Sequence, residues 1–116
     1  MKVLVCGGRD YTDLPKLCDV LDDMHAKSQI TLIIHGAARG ANKLASYWAK
    51  SRGVEQRAFP ADWQKHGKAA GPIRNLQMLE EGQPDLCIAF PTGGPGTRNM
   101  IGHAKQKIGV SRVVVI

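Results

Sequence analysis

Short apolar runs recur along the chain, and a stretch of helical periodicity follows each of the first four. Val3 to Cys6 and Thr31 to Ile34 are β-rich and read as buried strands, as does Asp85 to Phe90. Val54 to Phe59 is partly polar and suits a sheet edge, and Arg112 to Ile116 closes the series. Between these runs, Leu14, Leu17, Leu21 and Met24 lie one helical turn apart. The same spacing joins Ala41, Leu44, Ala45, Trp48 and Ala49, then Ile73, Leu76 and Leu79 or Glu80, then Met100, Ile101, Ala104 and Ile108. Thr12 or Asp13 suits a helix cap, Gly53 a helix stop, Pro72 a first helical position, and Thr97 the cap of the last helix. The order βαβαβαβαβ predicts one α/β domain over residues 1–116. Its mainly parallel five-stranded sheet would lie between helices on both faces, a three-layer α/β/α sandwich, because each crossover is right-handed.

Placement of the polar segments sharpens this picture. CGGRD follows the first strand, HGAARGAN the second, PADWQKHGKAAGPIRN the third and PTGGPGTRN the fourth. In such an alternation these segments emerge together at the carboxyl-end rim of the sheet, where open α/β folds bind ligands. The opposite connections, at Ser28-Gln29, Arg52-Gly53, Gly82-Gln83 and Gly109, read as plain turns.

Two rim segments have the form of anion sites. Gly36, Arg39 and Gly40 belong to one glycine-bearing turn, and Gly93, Gly94, Gly96 and Thr97 to another, each running into a helix start. There, backbone N–H groups and the positive end of the helix dipole face outward. Neither turn matches the Walker pattern or GxGxxG, which disfavours a nucleoside triphosphatase or a nicotinamide oxidoreductase. Gly7, Gly8, Arg9 and Asp10 form the first rim turn, where Arg9 and Asp10 are expected to pair.

The third segment, about fifteen residues from Pro60 to Asn75, is long for a connection in a small domain. It carries Asp62, Trp63, His66, Lys68, Arg74 and Asn75. Trp63 is suited either to stacking on a base or to plugging the loop against the body. His66 is expected to cap a turn rather than to carry acid–base chemistry, and Arg74 to point from its helix toward the rim. His35, at a strand end, is expected to fix its loop by hydrogen bonding, whereas His25 and His103 are expected on exposed helix faces.

Composition changes the picture little. The formal charge of +6 implies an acidic partner, either the phosphates of a small molecule or a nucleic acid, and the scattered cations favour the former. Three cysteines with no close pair argue against a disulfide framework and fit a cytoplasmic location. Cys6 and Cys87 read as buried small hydrophobes, although Cys6 abuts an anion-binding turn that could lower its pKa. No His, Cys and carboxylate set has metal-ligand spacing, so neither metal nor cofactor is expected. No apolar run approaches the ~20 residues of a membrane span, and MKVLVCGGRD reads as a strand and turn.

Taken together, GGRDYTD, HGAARGAN, PADWQKHGKAAGPIRN and AFPTGGPGT resemble the small YspA/YpsA-related branch of the SLOG superfamily, which unites the SMF/DprA and LONELY GUY proteins. The resemblance spans essentially the whole chain. It implies a Rossmann-like sheet, a nucleotide or nucleotide-derived ligand at the glycine rim, and a homo-oligomer. LONELY GUY relatives are phosphoribohydrolases that cleave the N-glycosidic bond of nucleoside monophosphates. Their signature resembles PGGxGTxxE with an Arg in RKxxM, to which Thr92 to Thr97 and Arg74 to Met78 are similar. Here the glutamate position holds Met100, preceded by Asn99, and Asn42 stands where an aspartate is more usual.

Three readings follow. In the first the chain is a nucleotide-binding sensor or processing module, with Gly7, Gly8, Arg9, His35, Gly36, Arg39, Gly40, Trp63, His66, Lys68, Arg74, Asn75, Gly93, Gly94, Gly96 and Thr97 around the ligand. The second is a phosphoribohydrolase-like enzyme in which Asp10 or Asp62 replaces the missing glutamate and Arg74 orients the phosphoribose. The third and least favoured is DprA-like binding of single-stranded DNA, which usually needs more aromatic platforms than the rim offers.

Overall fold

The computed structural model describes residues 1–116. Five strands, β1 (Lys2–Gly7), β2 (Leu32–His35), β3 (Glu55–Ala58), β4 (Leu86–Phe90) and β5 (Val113–Val115), form one all-parallel sheet in the order β3-β2-β1-β4-β5. This is a Rossmann-like arrangement. The chain steps from β1 outward to β3, crosses back, and resumes beside β1 at β4, so the strand order reverses between β1 and β4. β3 lies at the sheet edge, as its polar residues require.

Alternation along the strands feeds two cores. Val3, Val5, Ile33, Ile88 and Phe90 pack with Leu17 and Leu21 of α1 (Leu14–Lys27) and with Ala45 and Trp48 of α2 (Ala41–Arg52). Leu4, Cys6, Ile34, Cys87 and Ala89 face the other way. They meet Met78 and Leu79 of α4 (Ala70–Gly82) and Met100 and Ala104 of α5 (Pro95–Ile108). Trp48 is fully buried, and its indole N–H donates to Asp22 Oδ1 at 2.8 Å. The Arg52 guanidinium donates to the same carboxylate and holds its pKa below the usual range. His25, expected on an exposed face, is half-buried instead: its Nδ1 accepts from Ile30 N–H and its ring meets Trp48 edge-on.

Residues 60–75 depart most from the sequence-based expectation. The long connection is mostly helical: α3 (Trp63–His66), a 3-10 turn (Gly67–Ala69), and then α4, which begins at Ala70 and not at Pro72. Asp62 starts α3 by accepting from Lys65 N–H at 3.0 Å, and Gly67, at φ 55, redirects the chain after it. Pro72 still falls in the first turn of α4, where its missing N–H costs no hydrogen bond.

The buried stripe of α4 also differs. It comprises Ala70, Asn75, Met78, Leu79 and Gly82, while Ile73 and Leu76 stay exposed. The polar Asn75 and the half-buried Arg74 occupy inward positions, and this displaces the apolar pair. On α5, Gly94 is the N-cap rather than Thr97, which is buried at the third helical position.

Glycine is required where the rim turns cross. Gly40 has φ 75, and a Cβ there would overlap the Gly8 carbonyl and lie 2.6 Å from Arg9 backbone atoms. Gly93, at φ 91, faces open space. Gly40→Ala is therefore expected to cost about 2–4 kcal/mol, from strain plus a backbone clash, whereas Gly93→Ala costs only about 1–2 kcal/mol of strain. Urea denaturation of both variants checks the ranking.

Candidate functional site

All four rim turns meet above the carboxyl ends of the strands, linked in a ring. From β1, Gly8 donates its N–H to Phe90 O at 3.1 Å and packs so closely on Thr92 that a Cβ would overlap that side chain. Its carbonyl accepts from Ala41 N–H, the first residue of α2, at 3.2 Å. The turn after β2 is fixed from within. Gly36 N–H donates to the buried Asn42 Oδ1 at 2.6 Å, and Ala37 N–H donates to His35 Nδ1 at 3.0 Å. The other His35 nitrogen bonds Gln56 Oε1 at 2.7 Å. Burial pushes the imidazole pKa down, so His35 sits neutral as the fixing group its position suggested.

Arg74 and Asn75 close the ring from α4. Arg74 Nη1 donates to Gly36 O at 2.6 Å and to Phe59 O at 3.4 Å, and its Nε donates to Asn75 Oδ1 at 3.1 Å. The buried Asn75 amide then donates to Asn99 Oδ1 at 3.1 Å and to Gly96 O at 3.4 Å. Adjacent residues of one helix thus hold the turn after β2 and the start of α5. A Cβ on Gly36 would overlap the Arg74 guanidinium, which is why glycine stands there.

Electrostatics single out Arg74. It is half-buried, no carboxylate lies within ion-pair distance, and its acceptors are all neutral. Desolvation, and then the nearby Arg9, lower its pKa from the ordinary arginine value. Nearby, α2 and α5 begin at Gly40 and Gly94 with no side-chain cap and no acidic residue in the first turn. By contrast, α1 and α3 are capped by the Asp13 and Asp62 carboxylates. Ala41 N–H is taken by the Gly8 carbonyl and Pro95 has no N–H, and no side chain caps the N–H groups that follow in either first turn.

Other predicted site residues fall as follows. Arg9 lies over the Trp63 ring, 5.4 Å from its centroid, and Trp63 is 49% exposed. Arg9 does not pair with Asp10; the exposed Asp10 carboxylate instead lies 3.5 Å from Arg39 Nη2. Asp62 is engaged as the α3 cap. His66 ends α3 half-buried, and Lys68 is exposed in the following turn. Gly7 is tightly packed against Phe90 and Ala41. Cys6 is not activated: hydrogen bonding to Cys87, 4.0 Å between sulfurs, and burial both raise its pKa.

Met100, at the position of the hydrolase glutamate, is buried in the core. No three His, Cys, Asp or Glu side chains cluster to hold a metal ion. No helix is long and apolar enough to cross a membrane.

Sequence reasoning missed the structural parts played by Thr92, Asn42 and Asn99, and a hollow beside the turn after β2. That hollow, about 310 Å³, is lined by His35, Ala38, Arg39, Asn42, Lys43 and Ser46. The detectable signal was an asparagine close after each glycine-led helix start, a short polar side chain suited to holding a turn.

His35 gives a pH test. Because its folded pKa is depressed below 6.5, its contribution to stability is fully present above the unfolded value and is lost as pH falls toward the folded one. Stability is expected to decline on lowering the pH from about 7.5 to about 5, above the carboxylate range. His35→Gln should flatten that slope; urea midpoints across the window measure it.

The family described as YAcAr, the YspA, cpYpsA-related SLOG family, matches residues 1–66. The chain is 39% identical over 118 aligned residues to the Gene 61 protein of Mycobacterium phage D29, an alignment covering 94% of this chain and 91% of that protein. No solved structure matches it. The family match takes in the first two rim turns and the start of the third, and the phage relative aligns nearly end to end. The chain belongs to the YspA, cpYpsA-related SLOG family.

Proposed function

We propose that the chain binds a nucleotide or nucleotide-derived phosphorylated ligand at the rim, as a sensor or processing module. One observation carries this reading: Arg74 is a half-buried guanidinium without an anionic partner, held between two helix starts that lack side-chain caps. Burying an unpaired charge is unfavourable, and a phosphate beside it offsets that cost. Family membership supports a nucleotide-related ligand of this kind. Arg39 and Gly40 on one side, and Gly93, Gly94, Gly96 and Thr97 on the other, supply backbone and side-chain donors, while Gly36, its N–H held by Asn42, lines the turn. The Trp63 ring, exposed and already stacked by Arg9, offers a base a flat partner.

Hydrolysis of an N-glycosidic bond has less support. A carboxylate is needed to stabilise the charge that develops on the ribose. Met100 is in the core, Asn99 accepts from Asn75, and Asp62 is occupied as a cap. Asp10 remains as an exposed carboxylate, paired with Arg39.

Calorimetry should show binding of nucleoside monophosphates but not of the corresponding nucleosides. Arg74→Ala is expected to weaken it about 10- to 100-fold, the loss of charge-assisted hydrogen bonds, and Arg74→Lys by less. Equal affinity for nucleoside and nucleotide, or no binding at about millimolar ligand, would remove the proposal.

Trp63→Ala separates the base from the phosphate. It should weaken a nucleoside monophosphate about tenfold, a stacking contribution, and leave ribose 5-phosphate unchanged. Parallel titrations with the two ligands measure this.

A further inference from the structure

The α4–α5 face carries two exposed apolar side chains and, beside them, a glycine that a lone chain does not explain. α4 turns Met78 and Leu79 inward yet leaves Ile73 and Leu76 outside, 42% and 40% exposed. Beside them, a groove of about 170 Å³ runs between the two helices, lined by Leu76, Leu79, Glu80, His103, Gln106 and Lys107. In α5, the residue before His103 is Gly102, exposed, mid-helix, and without the positive φ that would demand glycine. A Cβ there would meet nothing within 4 Å. Glycine inside a helix costs about 1 kcal/mol relative to alanine, and no packing within the chain offsets it. A missing Cβ over open space does let a second backbone come close.

Shape and charge on this face are self-complementary. Apolar projections and a hollow lie in one patch, so a 180° rotation sets each against the other. Glu80 shares the groove with His103 and Lys107 but pairs with neither. A two-fold axis lying in the plane of the face, along the groove, lets the acidic edge of α4 meet the basic edge of the partner's α5, twice.

We infer that two copies of this chain associate through the α4–α5 face about a two-fold axis, with Leu76 of each copy seated in the other's groove beside Gly102. The surface adjoins Arg74 and Asn75, so association also stiffens the helix that joins the two glycine-led starts.

Sedimentation equilibrium over about 1–100 µM protein tests this. The unaltered chain should sediment at twice its 12.6 kDa mass. Leu76→Glu, at an exposed position, and Gly102→Gln, which fills only open space, should each raise the dissociation constant about tenfold or more. Tyr47→Glu, exposed on α2 across the sheet, should leave it unchanged. Circular dichroism melts confirm folding. Gly102→Gln improves helix propensity, so it decides alone if Leu76→Glu fails to fold. A chain that stays at 12.6 kDa throughout would overturn the inference. So would a folded Leu76→Glu or Gly102→Gln variant that assembles as tightly as the unaltered chain, as expected if copies pair through the exposed β5 edge at Val115 and Ile116.

Discussion

The candidate site depends on one contact: the Arg74 guanidinium donating to the Gly36 carbonyl at 2.6 Å. It joins a helix on one face of the sheet to a turn that feeds a helix on the other face. Through Asn75 the same element reaches Gly96 and Asn99 at the start of α5. Two glycine-led helix starts, after strands that do not pair with each other, are thereby held at one edge. Without this bridge, each turn would be an ordinary connection with a few free N–H groups. With it, they share a cation.

Energetically the bridge is a compromise. A guanidinium facing only carbonyl and amide oxygens satisfies its hydrogen bonds but not its charge, and both burial and Arg9 press against protonation. Natural sequences break local rules of this kind mainly at functional sites. The same compromise explains the outward turn of Ile73 and Leu76. Once Arg74 and Asn75 take inward positions on α4, residues one position away on the helix are forced out. Site and exposed apolar face are therefore two consequences of one helix phase.

Much of the fold was legible from pattern alone. Strand alternation, helix spacing and the edge position of β3 follow from which residues are apolar, because a parallel sheet covered on both faces leaves few other arrangements. The bounds of α4 and its buried stripe were not legible. Apolar periodicity marks the wrong face when a polar pair is the part that packs inward. Asp62 and Gly67 carried a cap and a redirecting turn, yet each also reads as a loop residue. His35 as a loop-fixing group was legible, since a histidine at a strand end beside glycine has backbone donors within reach. Asn75 and Asn99 were not, because an amide pair between two helices depends on how those helices are placed.

By itself the sequence determined the alternating α/β order, the common rim of the four polar segments, and glycine at the helix starts. Those properties rest on short-range preferences and on the handedness of crossovers, which hold wherever the chain goes. Tertiary structure decided which donors remain free, which carboxylates are spent as caps, and which arginine is half-buried without a counter-charge. Partnership is a matter of distances between residues far apart in the chain: Gly36 and Arg74 are separated by 38 positions. Only the packing of α4 against the sheet brings them within hydrogen-bonding reach.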